Sequence, residues 1–118
     1  MPAQLTTHVL DTMHGTPAAG LKIVLFQLEE NAAKELKIAV TNSDGRTDIP
    51  MLSETEFATG QFELVFHVGD YFTSQGVDLP EPMFLDTVPI RFAIADVSAK
   101  YHVPLLVSPW AYSTYRGS

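Results

Sequence analysis

A period of two in apolar and polar positions runs through most of this 118-residue chain. In Leu5–Asp11 it puts Leu5, Thr7 and Val9 on one face and Thr6, His8 and Leu10 on the other, which predicts a strand. Leu21–Leu28 (LKIVLFQL) is apolar at nearly every position, as in a strand covered on both faces. Glu35–Thr41 alternates again and predicts Leu36, Ile38 and Val40 inward, with Lys37, Ala39 and Thr41 outward. Gln61–Val68 turns Phe62, Leu64, Phe66 and Val68 to the core. Val88–Ile94 groups Val88, Ile90, Phe92 and Ile94, and Pro89 suggests an edge position or an irregular start. The closing runs, Tyr101–Val107 and Ala111–Arg116, are joined by the turn-forming pair Ser108-Pro109. On the first, His102, Pro104 and Leu106 share a face. On the second, Ser113, Tyr115 and Gly117 do. These faces are too mixed for a core wall and suit the lining of a groove. Helix is predicted only over Asp70–Gly76, with Asp70 as N-cap and Gly76 past the C-terminus.

Turn signals punctuate these runs. Thr12–Gly20 is rich in glycine, proline and small residues, and Asn42-Ser43-Asp44-Gly45 supplies the positive φ of a tight connection and delivers Arg46 directly after it. Seven or eight short strands with regular turns predict an all-β fold: an antiparallel β-sandwich of two sheets with one short helix, a single domain over residues 1–118.

Charge and composition narrow the function. The net charge of −7 argues against a nucleic-acid partner and an anionic membrane surface. No apolar run approaches the ~20 residues of a membrane span, and the start, MPAQLTTHVL, lacks the basic and apolar regions of a signal peptide, so a cytoplasmic location is expected. The absence of cysteine removes disulfides, thiolate metal sites and thiol catalysis. No metal-ligand spacing, phosphate-binding glycine loop or nucleophile elbow is present, so neither a metal nor another cofactor is expected.

Four groups remain that could carry chemistry. His8 lies on the first strand and His102 on the penultimate one, and a sandwich can bring those strands together. Imidazole is the side chain suited to moving protons near neutral pH, although a strand histidine is more often structural. Arg46 offers a planar fork for a carbonyl-rich or anionic ligand, against its alternative as a solvated surface charge. The ending Tyr115-Arg116-Gly117-Ser118 offers a hydroxyl, a guanidinium and a carboxylate if ordered, and is otherwise a frayed tail. His14 and His67 look like solvent histidines without a role.

LTTHVLDTMHGTPAAGLKIVLFQL, TNSDGR, GDYF and YHVPLLVSPWAYSTYRGS together resemble the 5-hydroxyisourate hydrolases, transthyretin-related enzymes of urate breakdown, along the whole chain. The Tyr-Arg-Gly-Ser ending separates these enzymes from the carrier transthyretin. The resemblance implies a transthyretin-like sandwich assembled as a homotetramer, a dimer of dimers whose channel holds the sites. It implies an active site of His8, Arg46, His102 and Tyr115–Ser118, with no cofactor. The implied reaction is hydrolysis of 5-hydroxyisourate to 2-oxo-4-hydroxy-4-carboxy-5-ureidoimidazoline. The catalytic set would be His8, Arg46, His102 and Ser118. The histidine pair would activate water, and Arg46 would hold the substrate and stabilise charge. Tyr115 and the Ser118 hydroxyl or carboxylate would orient the ring, with Arg116 and Gly117 also binding it, Gly117 by letting it approach the backbone. The competing readings are a carrier that uses the same channel without catalysis, and an interaction domain with no small-molecule site.

Overall fold

A computed structural model describes residues 2–117. Its elements follow in the order β1 (Gln4–Asp11), β2 (Thr16–Pro17), β3 (Lys22–Glu29), β4 (Ala32–Val40), β5 (Gly60–Phe66), α1 (Val68–Ser74), β6 (Val88–Ile94), β7 (Lys100–Val107) and β8 (Tyr112–Thr114). They form two four-stranded sheets, β2-β1-β7-β8 and β4-β3-β5-β6, packed face to face as a sandwich. Pairing is antiparallel except at the centre of the first sheet, where β1 and β7 run parallel from Gln4↔Lys100 to Asp11↔Val107.

Period-two alternation builds the core. Leu5 and Val9 of β1 and Val103, Leu105 and Val107 of β7 meet Ile23, Leu25, Phe62, Leu64 and Phe66 of the other sheet. Full burial of each such side chain contributes about 1.5–3 kcal/mol. Thr7 is also buried, and its hydroxyl donates to the Val103 carbonyl at 2.7 Å, which offsets the desolvation. The opposite faces of β1 and β7 carry Thr6, His8, Lys100 and His102, which are partly exposed. The sheet therefore has a dry side and a chemical side.

Several sequence expectations need correction. On β4 the phase inverts partway along. Leu25 pairs with Lys37 and Phe26 with Glu35, so Leu36 is an extra, bulged residue. Leu36 packs on the core as expected, but beyond it the faces exchange. Ile38 and Val40 are 52% and 58% exposed, while Ala39 packs inward and Thr41 is buried. The Thr41 hydroxyl accepts from Leu21 N and donates to Ala18 O.

The helix begins at Val68, not after an Asp70 cap. His67 occupies the N-cap without a side-chain bond, and Asp70 lies in the first turn. Val68, read as the last core position of a strand, is still buried but on the helix, and Gly76 does follow the C-terminus with φ +81°. The last strand covers only Tyr112–Thr114, because Tyr115 and Arg116 leave the ladder before Gly117 bridges back to His102. In β3, Ile23, Val24 and Leu25 are buried, whereas Phe26 and Leu28 are only partly so.

Candidate active site

The parallel β1–β7 pair sets Thr6 beside His102 and His8 beside Pro104, all on the sheet's outer face. The Asp-Gly turn then brings in Arg46. Asn42 Oδ1 accepts from Asp44 N and Arg46 N, and Gly45 takes φ +74°. A Cβ at Gly45 would lie 2.5 Å from the Val9 carbonyl, so only glycine lets the turn dock on β1. Val9 N donates to Gly45 O at 2.8 Å, and the next residue, Arg46, bridges His8 through the backbone.

The C-terminal segment closes the third side, and it is pinned. Gly117 N donates to His102 O at 2.7 Å, Thr114 Oγ1 to Pro104 O at 2.7 Å, and the Arg116 guanidinium sits 4.1 Å over the buried Tyr101 ring. Such stacking contributes about 0.5–2 kcal/mol. The Tyr101 hydroxyl accepts from Asp96 N and Ala95 N, which fixes the ring and lowers the pKa of its phenol.

These pieces enclose an open cavity of about 510 Å³ lined by Thr6, Arg46, Lys100, His102, Tyr115, Arg116 and Gly117. That volume lies within the range of small-molecule sites. Three of the chain's seven Lys and Arg residues are in this lining, and no carboxylate of the described residues is. In an acidic protein the cavity is thus a local cationic well, suited to an anion or to an oxygen that gains charge. Burial lowers the basicity of His102 first, and Arg46, His8 and Lys100 lower it further, so its imidazole is neutral near pH 7. Its Nδ1 lies 2.8 Å from Thr6 Oγ1, while Nε2 has no hydrogen-bond partner among the described residues.

Of the residues expected from sequence, Arg46, His102, Tyr115, Arg116 and Gly117 come together around this cavity. His8 does not line it but neighbours Arg46 on the backbone and lies near enough for its charge to bear on His102. Ser118 lies outside the described residues, and Ser113 is not in the lining. Gly117 has a different use from the one expected. A Cβ there would lie 2.7 Å from His102 Cδ2 and 3.3 Å from Cγ, so the imidazole takes the room that the glycine leaves. Thr6 and Lys100 were missed, although each stands two residues before a chosen histidine on the same strand face. The period of two contained that signal. Among the described residues no group of three or more metal-ligating side chains exists, and no helix is long and apolar enough to cross a membrane.

Comparison with known proteins decides the family. The HIUase/Transthyretin family matches residues 5–117. The chain belongs to this family. Within it, the chain is 61% identical over 115 residues to 5-hydroxyisourate hydrolase 2 of Rhizobium meliloti (strain 1021), covering 98% of this chain and 96% of that one. A crystal structure of (S)-allantoin synthase superposes with a TM-score of 0.91 at 48% identity, covering 99% of this chain but 45% of that one. Transthyretin from Sparus aurata shares the fold, with a TM-score of 0.85 at 24% identity, covering 98% and 97% of the two chains. The family member described here therefore presents the sandwich it shares with the two solved structures, with a cationic, imidazole-bearing cavity on one outer face.

Proposed function

We propose that this protein hydrolyses 5-hydroxyisourate to 2-oxo-4-hydroxy-4-carboxy-5-ureidoimidazoline. The observation that carries the reading is His102, a neutral imidazole whose Nε2 has no partner among the described residues, beside Arg46, in a chain 61% identical to a 5-hydroxyisourate hydrolase. Water adds to a ring acyl carbon of the planar, carbonyl-rich substrate. His102 Nε2 takes the proton of that water, and the carbonyl oxygen gains charge as the tetrahedral centre forms. Arg46 lies in the same lining and stabilises that oxygen, with Lys100 and Arg116 adding to the positive field. Collapse breaks the ring C–N bond, and the proton held by His102 passes to the departing nitrogen. His8, next to Arg46, completes the imidazole pair and orients the water. Tyr115, Arg116 and Gly117 form the rim against which the ring lies, and Ser118 takes part in the chemistry through its hydroxyl or carboxylate.

The working unit is a homotetramer, a dimer of dimers. Supporting this, β6 and β8 each form one edge of their sheets and flank one groove, lined by Ile90 and Phe92 on one side and Thr114 and Tyr115 on the other. A second copy can extend both sheets there. Trp110 and Phe84, 58% and 69% exposed with ring centroids 6.0 Å apart, form an apolar outcrop near the β7–β8 turn that a further subunit contact would cover.

The test is the ultraviolet decay of freshly generated 5-hydroxyisourate. His102→Ala should slow it by about 10²- to 10⁴-fold, with the assembly unchanged on gel filtration. An unaltered rate removes the mechanism. Arg46→Lys should also lose activity, because an ammonium cannot reproduce the guanidinium fork.

A further inference from the structure

We propose that Thr6 is a positioning residue for the reaction: its hydroxyl accepts the Nδ1 proton of His102 and so commits Nε2 to the cavity as the base. This inference rests on the hydrolytic reading above and goes beyond it by assigning the tautomer and the group that sets it.

The geometry is a two-sided clamp. On one side Thr6 Oγ1 lies 2.8 Å from Nδ1, held there by the register that pairs Thr6 with His102. On the other, the Gly117 backbone lies against the Cδ2–Cγ edge, so close that a Cβ would be 2.7 Å from Cδ2. The Gly117 N–H to His102 O bond fixes that backbone. The ring is thus held at one nitrogen and one edge, and Nε2 is the nitrogen left to meet a reacting atom. A neutral imidazole carries one proton. If it sat on Nε2, the cavity would face a donor and no base would be present. Placing it on Nδ1 makes Thr6 the acceptor and turns the hydroxyl's own proton towards the cavity that Thr6 also lines.

The charged and titratable groups facing the ring are His8 on β1, Arg46 after the Asp-Gly turn, Lys100 on β7, and Tyr115 and Arg116 of the C-terminal segment. Among the described residues none offers a carboxylate to orient the imidazole, the partner such a base commonly has. A hydroxyl does this without adding a negative charge that would raise the basicity of the ring and hold it protonated.

The experiment pairs nitrogen-15 NMR of His102 with steady-state kinetics of Thr6→Val and Thr6→Ser. Valine keeps shape and strand preference while it removes the oxygen. The wild type should show His102 protonated at Nδ1, and Thr6→Val should shift it towards the Nε2–H form. Thr6→Val should lower kcat by roughly tenfold or more with KM changed by about twofold at most, and Thr6→Ser should restore most of it. The acid limb of the kcat profile should move to lower pH in Thr6→Val, because the imidazolium loses an acceptor. A limb that moves to higher pH would mean that Thr6 donates to Nδ1, and would overturn the assignment. So would an Nε2–H wild type, or wild-type kinetics in Thr6→Val. If Thr6→Val does not fold, the wild-type tautomer alone decides. An inactive His102→Ala beside an Nε2–H wild type overturns the role of Thr6 only, whereas an active His102→Ala overturns the hydrolytic reading itself.

Discussion

At the scale of single residues, the site depends on how closely backbone approaches imidazole. Gly117→Ala needs no unusual φ, yet its methyl would sit 2.7 Å from His102 Cδ2, and the ring, not the strand, would give way. A displacement near 1 Å can cost on the order of 10²-fold in rate. Gly117→Ala should therefore lose activity at that level with an unchanged melting temperature, which kinetics and thermal denaturation on one preparation will check. The basicity of His102 offers a second prediction. Its pKa lies below the ordinary ~6.5 because of burial first and neighbouring positive charge next, with Lys100 among the contributors. Removing that charge favours the imidazolium, so Lys100→Gln should move the acid limb of the pH–rate profile upwards. A limb that stays put or falls would show that Lys100 does not act on His102. His102, Arg46 and Gly117 were visible in the sequence as residue types in suggestive places, but the purpose of Gly117 was not. Nothing local says that the partner of residue 117 is a side chain fifteen positions earlier.

Among the elements, β1 and α1 are joined by a polar contact that the sequence concealed. Asp11 is wholly buried at the end of β1, where its carboxylate accepts from the Tyr71 hydroxyl at 2.7 Å and from His14 through both Nδ1 and the backbone N–H. Burial alone would raise the Asp11 pKa; these hydrogen bonds outweigh it and hold the carboxyl below its ordinary value. His14, read as an idle surface histidine, thus helps to anchor the helix to the sheet. Since the folded pKa of Asp11 is depressed, its contribution is present above the unfolded value near 3.9 and is lost as pH falls through the folded one. Tyr71→Phe should cost about 1–3 kcal/mol in urea unfolding at pH 7, and less of that difference should remain in acid. Equal losses at both pH values would remove Asp11 from the account. The strands themselves were legible because one face of each is dry. The phase of β4 was not, since a bulge at Leu36 leaves no mark in a run whose residues after it are apolar on alternate positions. The helix start was missed for a related reason: no side chain caps it, so the sequence holds no cap to find.

For the whole molecule, assembly and charge are the properties to measure. Sedimentation should return about four times the 13.0 kDa chain mass, and a stable monomer would contradict the proposed tetramer. The topology was only half legible. Strand number followed from spacing, and Pro89 allowed either an edge position, which β6 holds, or an irregular start. The antiparallel pairing expected throughout is broken by the first and penultimate strands, whose parallel pairing is a long-range choice that no local pattern states. That pairing also sets the order of events at birth. Thr6 and His102 become neighbours across 96 positions, so β1 leaves the ribosome long before the strand it will lie against has been translated. Recovery of turnover after denaturation should accordingly report the last long-range closure of the chain, and lag behind the appearance of β-structure formed between neighbours in sequence.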